Sequence, residues 1–255
     1  GVILRDENGE PTGIVKDAAK DLVLRAIAKP SEARLDAALR QGIALGLSKG
    51  VTEVHVPELD WSTFENTRRL RAQGETGMRF YNFTPLKDWE RQAAIVAQEG
   101  RGDDWVRWGG CKVVFDGSLG SRTALMYLPY LDEPHAHGIM VTDPQDLKAW
   151  MTGADKAGLQ VTAHAIGDEA NDIVLDTMAA VTTANGARDR RFRVEHAQHL
   201  REEAIGRFAK QGVIASMQPY HAIDDGRWAV RRVGPERLRT SFAVGSMVRS
   251  GAHVC

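Results

Sequence analysis

Apolar and polar residues alternate along the chain with two different periods, one close to four residues and one close to two. Leucine and isoleucine recur at every fourth residue from Leu35 to Leu47, which is the spacing of one helix face, and Gly50 ends that pattern. The run VTEVHV at 51–56 is short and rich in β-branched residues, as buried strands are. From there to the end of the chain the pattern predicts strands and helices in turn.

The predicted elements fall into a regular order. Residues 1–17 predict a hairpin, because ENGEP between two short extended runs carries the Asn8-Gly9 turn signal. The residues between 116 and 142 predict one long loop. Strands are predicted at 51–56, 78–83, 111–115, 159–164, 191–196, 212–218 and 252–255, and helices at 62–73, 87–98, 144–157, 168–184, 201–210 and 235–250.

Strict alternation of this kind indicates an α/β fold with a parallel sheet and helical crossovers. The sheet could be open and doubly wound, or it could close into a (β/α)8 barrel; no GxGxxG motif follows the first strand, which disfavours the dinucleotide-binding version of the open sheet. A length of 255 residues suits one barrel domain. Seven strands are one fewer than a barrel needs, so we predict a single domain over 1–255. In it, 31–255 would supply strands two to eight of an incomplete TIM-like barrel, with the first strand missing and the eighth truncated.

Composition narrows the classes of function. Thirty-three basic and 34 acidic residues nearly cancel, and no basic block with interleaved aromatic residues is present, so no nucleic-acid partner is expected. No apolar run is long enough to span a bilayer, and no membrane partner is expected either. Two cysteines are too few for a disulfide scaffold, which favours a cytoplasmic location.

Two histidines stand where a barrel enzyme carries its chemistry. His164 closes the strand VTAH and His196 closes the strand RVEH. The carboxyl ends of neighbouring parallel strands meet at one edge, and imidazole is a common ligand of zinc and related metals. The alternative is that each ring merely satisfies a loop carbonyl.

Lys112 opens the apolar strand that Val113 continues. A buried lysine loses the solvation of its charge, so its amine becomes nucleophilic. Such an amine could form a Schiff base, or take up carbon dioxide to give a carbamate that bridges two metal ions. The alternative is a side chain that extends from the strand end to water.

These residues lie in motifs that resemble the amidohydrolase superfamily, and most closely its family 3 branch of YtcJ-like and N-substituted formamide deformylase-like enzymes. The motifs are FDGSLGSRTA after Lys112, HAIGD at 164–168, VEHAQ at 194–198 and SMQPYHA at 216–222. The resemblance implies a distorted barrel around one or two divalent ions, usually zinc. It implies that Lys112 is the carboxylated bridging ligand and that His164 and His196 are further ligands. The implied reaction is attack of a metal-activated water on the amide-like bond of a small molecule.

The sequence departs from that family at two places. The His-x-His pair of the first strand is absent, since His135 and His137 lie in the long loop, and the aspartate of the eighth strand does not appear before Cys255. We therefore expect residues 1–255 to be a fragment with low metal occupancy and little activity alone. The exposed interior of an open barrel predicts a homo-oligomer.

Four further residues are candidates with weaker support. Arg122 could clamp a substrate carbonyl or serve the loop; Tyr220 and His221 could line the pocket or form a buried pair. Asp168 could cap the following helix or orient His164. For the protein as a whole, the alternatives to a metal-dependent hydrolase are a Schiff-base lyase that uses Lys112 and a catalytically incompetent fragment.

Overall fold

The computed structural model of the chain describes residues 2–16, 19–57 and 60–255. The predicted hairpin is confirmed as strands β1 (Val2–Arg5) and β2 (Pro11–Lys16), which pair antiparallel. Asp6 shapes the turn, because its carboxylate accepts hydrogen bonds from the backbone N–H groups of Asn8 and Glu10 at 2.9 Å each. Gly1 and Asp17, the two ends of the predicted hairpin, lie outside the described residues.

Two helices come after the hairpin. Helix α1 (Lys20–Ala26) is not predicted by the sequence pattern, whereas α2 (Glu32–Ser48) is the helix that the four-residue apolar spacing predicts. The chain forms two compact units, Gly1–Gly42 and Ile43–Cys255. The boundary between them falls inside the continuous helix α2, so the single domain over 1–255 stays a prediction.

The second unit is built on a parallel sheet whose strands follow one another in sequence order, as they do around a β/α barrel. Among the described residues the sheet has six strands, and its edges do not close on each other, which confirms an incomplete TIM-like barrel. Beyond the last strand, Val254 forms a parallel bridge to Ala215, so the final residues begin a further strand as predicted. The strands are β3 (Glu53–Pro57), β4 (Arg79–Pro85), β5 (Val106–Val114), β6 (Gln160–Ala165), β7 (Arg193–His196) and β8 (Ile214–Ser216).

Helices connect these strands and cover one face of the sheet. Cys111, Val161 and Val194 point from the strands into a core with Met151 and Phe208 of the helices, and all five are essentially inaccessible to solvent. The opposite face of the same strands therefore carries the polar residues. The connecting helices are α3 (Ser62–Ala72), α4 (Trp89–Glu99, preceded by a 3-10 turn at Leu86–Asp88), α5 (Pro144–Lys156), α6 (Asp168–Asn185) and α7 (Glu202–Gln211).

Local capping agrees with the sequence at α5. Asp143 lies at the N-cap, where its carboxylate accepts the backbone N–H of Gln145 at 2.7 Å, and Pro144 occupies the first turn. No helix of the described residues combines the length and the hydropathy needed to cross a bilayer.

The C-terminal region corrects the sequence analysis. In place of one helix over 235–250, the structure has the end of α9 (Gly226–Leu238) and a separate α10 (Val244–Arg249). Helix α8 (Pro219–Asp224), which the sequence pattern does not predict, comes before them. Gly234 has φ 78° and kinks α9 just before Pro235. Between α9 and α10 the backbone departs from helical geometry at Phe242, with φ 51°, and the Ser241 hydroxyl lies 2.7 Å from Nδ1 of His199 in the loop after β7.

The long loop at 116–142 is held against α9 rather than free. Tyr130 is fully buried, and its hydroxyl donates to the carbonyl of Ala124 at 2.7 Å. Leu119 and Met126 of the same loop pack against Val233 of α9. The loop therefore forms a second, smaller apolar cluster at the carboxyl ends of the strands.

Candidate active site at the carboxyl ends of the strands

His164 and His196 come together as predicted. His164 is the second-last residue of β6 and His196 the last residue of the neighbouring β7, and their ring centroids lie 4.6 Å apart at an angle of 74°. Both rings are partly shielded from solvent; the His164 side chain is 16% exposed. The strand-end rule therefore places the pair correctly, while a role in metal binding stays a prediction.

One nitrogen of His164 faces hydrogen-bond acceptors. Its Nε2 lies 2.8 Å from the carbonyl oxygen of Gly117 and 3.3 Å from Oδ1 of Asp116. Asp116 is fully buried, and its carboxylate accepts the backbone N–H groups of Leu125, Ile166 and Gly167 at 2.8 to 3.0 Å. This carboxylate therefore connects the long loop to the turn between β6 and α6. The other ring nitrogen of His164, Nδ1, has no hydrogen-bond partner in the described residues.

The close contact between the long loop and the turn between β6 and α6 also requires a glycine, Gly167. A Cβ atom on Gly167 would lie 1.8 Å from the carbonyl oxygen of Leu125, far inside van der Waals contact. The loop backbone thus passes directly over the turn that comes after His164.

His196 is held through Nδ1, whereas His164 is held through Nε2. Its Nδ1 lies 2.6 Å from Oε1 of Gln218, the residue that precedes α8. Burial, and after it the nearby His164, lowers the pKa of His196 to about 4. The ring is therefore neutral at pH 7, which is the form that can offer a lone pair to a metal ion.

Lys112 lies deeper in the sheet. It pairs in register with Thr162 of β6, two residues before His164, and its side chain is buried. Burial lowers the pKa of Lys112 to about 8, although the charge of Glu195 acts in the opposite direction. Part of the lysine population is thus neutral near pH 7, as either a Schiff base or a carbamate would require.

Glu195 and Arg193 were missed by the sequence analysis. The Glu195 carboxylate accepts hydrogen bonds from Thr162 Oγ1 at 2.6 Å and Arg193 Nε at 2.5 Å. Burial acts to raise the pKa of Glu195, but the hydrogen bond and charge of Arg193 outweigh it and hold that pKa at about 2. Arg193 also reaches across to β3, where its Nη1 lies 2.6 Å from Nδ1 of His55. The available signal was the Arg-x-Glu alternation inside a strand that otherwise has the pattern of a buried one.

The predicted substrate-binding residues are placed differently from one another. His221 of α8 stacks on His196 with 5.8 Å between ring centroids and 15° between the planes, so it belongs to the same cluster. Tyr220 is 68% exposed and faces away from the core. Arg122 forms ion pairs with Asp132 at 3.0 Å and with Glu133 at 3.2 Å, which ties its guanidinium to the loop.

Asp168 is not the carboxylate beside His164. Its Oδ1 accepts the backbone N–H groups of Tyr127 at 3.1 Å and Glu169 at 2.9 Å. The N-cap of α6 is Gly167, so Asp168 occupies the first turn rather than the cap. The prediction that Asp168 orients His164 is therefore wrong, because Asp116 makes that contact and Asp168 binds the long loop.

A large cavity lies at the other end of the sheet. It has a volume of about 1080 Å³ and is lined by the amino-terminal residues of the strands and by the last residues of the chain, including Glu53, His55, Arg79, Gln160, Arg193 and Val254. This cavity does not contain His164 or His196. We assign the candidate site from the histidine cluster, because barrel chemistry occupies the carboxyl ends of the strands.

The donor set fits part of a metal site. In the portion of the chain that the structure describes, no three histidine, cysteine, aspartate or glutamate residues lie close enough to hold an ion. The two imidazoles are nevertheless adjacent, and Lys112 is near enough for its charge to act on His196. Within that same portion each imidazole keeps one nitrogen that contacts no acceptor. Zinc normally takes four ligands, so these residues supply an incomplete set.

Comparison with known proteins decides the family. A model of the amidohydrolase family, Amidohydro_3, matches residues 1–255. The chain belongs to the amidohydrolase family. This match confirms the resemblance to the amidohydrolase family that the sequence motifs indicated.

Relatives of this amidohydrolase-family chain are longer than it is. It is 39% identical to the protein LONG AFTER FAR-RED 3 of Arabidopsis thaliana over 99% of its own length and 45% of that protein. It is 33% identical to YtcJ of Bacillus subtilis (strain 168), a candidate amidohydrolase, over 98% of its length and 47% of that protein. The chain thus spans about half the length of the curated relatives it matches.

A solved structure shows the same relation. An uncharacterised metal-dependent hydrolase from Pyrococcus furiosus superposes with a TM-score of 0.80 at 26% identity, and the match covers 98% of this chain and 51% of that one.

Proposed function

We propose that the chain is the barrel portion of a metal-dependent hydrolase that cleaves a non-peptide carbon–nitrogen bond in a small amide-like molecule. The observation that carries the proposal is the pair of imidazoles, His164 and His196, whose rings lie 4.6 Å apart at adjacent strand ends. Membership of the amidohydrolase family and the metal-dependent hydrolase from Pyrococcus furiosus support the reaction class.

In this proposal His164, His196 and Lys112 hold one or two divalent ions, with zinc as the expected metal. A bound ion would supply Lewis-acid activation of water and of the substrate carbonyl. Lys112 would contribute as a carbamate: its neutral amine nitrogen bonds to the carbon of carbon dioxide, one N–H proton leaves, and the product carries a single negative charge. The buried position and the lowered pKa of Lys112 favour the neutral amine that this step needs.

His221 is a proposed substrate contact, since it stacks on His196 and is only partly buried. Its Nδ1 lies 3.4 Å from Oε1 of Gln198, which orients the ring. Arg122 and Tyr220 remain proposed substrate contacts, and Arg122 would have to leave Asp132 to act as one.

Because residues 1–255 alone are expected to hold little metal, the test uses a longer version of the protein that contains residues 1–255. His164→Asn and His196→Asn should each lower bound zinc, measured by elemental analysis, and abolish hydrolysis in a panel of N-acyl and N-formyl compounds. His135→Asn, an exposed histidine of the long loop, is the matched control and should change neither. Normal zinc content and turnover in either strand-end variant would overturn the proposal.

Two observations favour alternatives. The incomplete ligand set among the described residues supports a catalytically incompetent chain, which would show little zinc and no turnover while remaining folded. The buried amine of Lys112 supports a Schiff-base lyase, which borohydride would trap covalently on a carbonyl substrate. Trapping that persists after removal of metal and disappears in Lys112→Met would favour the lyase over the hydrolase.

A further inference from the structure

Gln218 lies at the junction of β8 and α8, and both ends of its amide are engaged. Its Oε1 lies 2.6 Å from Nδ1 of His196, and its Nε2 lies 3.2 Å from the carbonyl oxygen of Ser216. We propose that Gln218 is a positioning residue that holds His196 as the Nδ1–H tautomer, so that Nε2 is the nitrogen His196 presents to the site.

The second hydrogen bond fixes the orientation of the amide. A carbonyl oxygen can only accept, so the group that faces Ser216 O must be the NH₂ of Gln218. The amide oxygen then faces His196. Since an amide oxygen also only accepts, the hydrogen between the two side chains belongs to Nδ1 of the ring. The hydrogen bond from Gln218 to Ser216 thus determines the tautomer of His196, although His196 takes no part in it.

The backbone of Gln218 is constrained as well. Its φ of −110° and ψ of 97° are extended, as expected for a residue that precedes proline, and Pro219 begins α8. The amide is therefore presented to His196 from a restricted segment rather than from a freely rotating loop.

The other contacts of His196 do not choose between its two ring nitrogens. The residue has φ 78° and the next, Ala197, has φ 43°, so the strand ends in left-handed geometry at the ring. His164 lies edge-on to the ring at 4.6 Å and His221 stacks on it at 5.8 Å, and neither contact selects a nitrogen. In the described residues Gln218 makes the one hydrogen bond to this imidazole that we find.

The consequence for metal binding rests on the proposed function, whereas the tautomer itself does not. A hydrogen-bond acceptor behind a histidine ligand typically changes metal affinity by about 10- to 100-fold. The two parts can therefore be tested separately.

The first test measures the tautomer by long-range proton–nitrogen NMR of the ¹⁵N-labelled protein at pH 8, with His196→Gln used to assign the ring signals. The wild type should show Nδ1–H, and Gln218→Leu should lower the ratio of Nδ1–H to Nε2–H about tenfold, the loss expected for one hydrogen bond. Gln218→Glu keeps an acceptor and should keep the ratio. Gln145→Leu, the same replacement at an exposed glutamine of α5, should leave it unchanged.

An Nε2–H tautomer in the wild type would overturn the proposal without any variant. An unchanged ratio in a Gln218→Leu protein of normal circular dichroism would overturn it equally. If Gln218→Leu does not fold, Gln218→Ala and the wild-type spectrum take its place.

The second test measures the dissociation constant for Zn²⁺ alone, by competition with a chelating dye. Gln218→Leu should weaken it about 10-fold or more, and Gln218→Glu should not. A shifted tautomer with unchanged zinc affinity would contradict the proposed function and leave the role of Gln218 intact. An unshifted tautomer contradicts the role of Gln218 whatever the zinc affinity.

Discussion

The two ends of the parallel sheet are built from different chemistry. At the amino-terminal end and inside the sheet, charges are matched in pairs: Glu195 with Arg193, and Glu53 with Arg79 at 2.9 Å. At the carboxyl end, the rings of His164 and His196 are each held by an acceptor, and each keeps one nitrogen free of acceptors from the described residues. The difference separates polar groups that pair with one another from rings that keep one nitrogen unpaired within the described residues.

The largest effect should come from breaking the buried pair. Arg193→Met leaves the buried Glu195 carboxylate without the charged partner that compensates it, which should lower the free energy of unfolding by about 3–5 kcal/mol. Urea denaturation measures it. Arg79→Met is the control, because the Arg79–Glu53 pair is about half exposed and should cost under about 1 kcal/mol. Equal losses in the two variants would erase the distinction between a buried and an exposed pair.

Asp116 offers the corresponding test at the carboxyl end. Asp116→Ala removes the acceptor of three buried backbone N–H groups and should cost about 3 kcal/mol in unfolding free energy. Hydrogen exchange should also become faster at Leu125, Ile166 and Gly167 together. Asp189→Ala, whose side chain is 71% exposed, is the matched control. Faster hydrogen exchange at only one of the three amides would show that the Asp116 carboxylate does not hold the loop and the turn together.

The pH dependence of stability should come from the buried neutral rings. The pKa of His196 is lowered from 6.5 to about 4, and that of His199, in a fully buried position, to about 3. Because the unfolded chain binds protons more readily than the folded one, the unfolding free energy should fall as the pH decreases from about 6.5 towards 4. Each ring contributes at most about 3 kcal/mol. Urea midpoints between pH 7 and 4 measure the slope, and His199→Gln should reduce it; an identical slope in that variant would refute the assignment.

Arg122 should have the smallest effect on stability. Its ion pairs with Asp132 and Glu133 are partly exposed, so Arg122→Ala should change the unfolding free energy by less than about 1 kcal/mol. If Arg122 also contacts substrate, KM should rise several-fold with stability unchanged. A large loss of stability with normal KM would instead make it a residue of the loop alone.

The features that the sequence analysis predicted correctly follow mainly from the order of the strands. The features that it missed depend mainly on contacts between residues far apart in the sequence. The closeness of His164 and His196 can be predicted from sequence, because parallel neighbours end at the same edge. Asp116 cannot be recognised in this way as the carboxylate of His164. It binds backbone N–H groups 9, 50 and 51 residues away, and backbone donors leave no mark on a sequence. Asp168 is close to His164 in the chain, and that proximity alone favoured it.

The helical region after β8 shows a second limit of the same kind. The sequence pattern predicts a helix that begins at Pro235, although α9 already runs through this residue beyond a kink at Gly234. The chain is interrupted after α9 by a set of contacts with the loop behind β7, including the backbone N–H of Phe242 to the carbonyl of Gln198 at 2.7 Å. Those contacts depend on the tertiary fold, so local propensity could not have located the break.

The glycine at the turn between β6 and α6 has a consequence for how barrels of this kind can be recombined. Loops at the carboxyl ends of strands are commonly treated as interchangeable parts on a fixed scaffold. Here Gly167 and Leu125 lie so close that no side chain fits between them, and Asp116 binds both residues. The long loop and this turn therefore form one structural module that is encoded in two separate stretches of sequence. A graft that transfers 116–142 without 166–167 would lack the turn on which the loop packs.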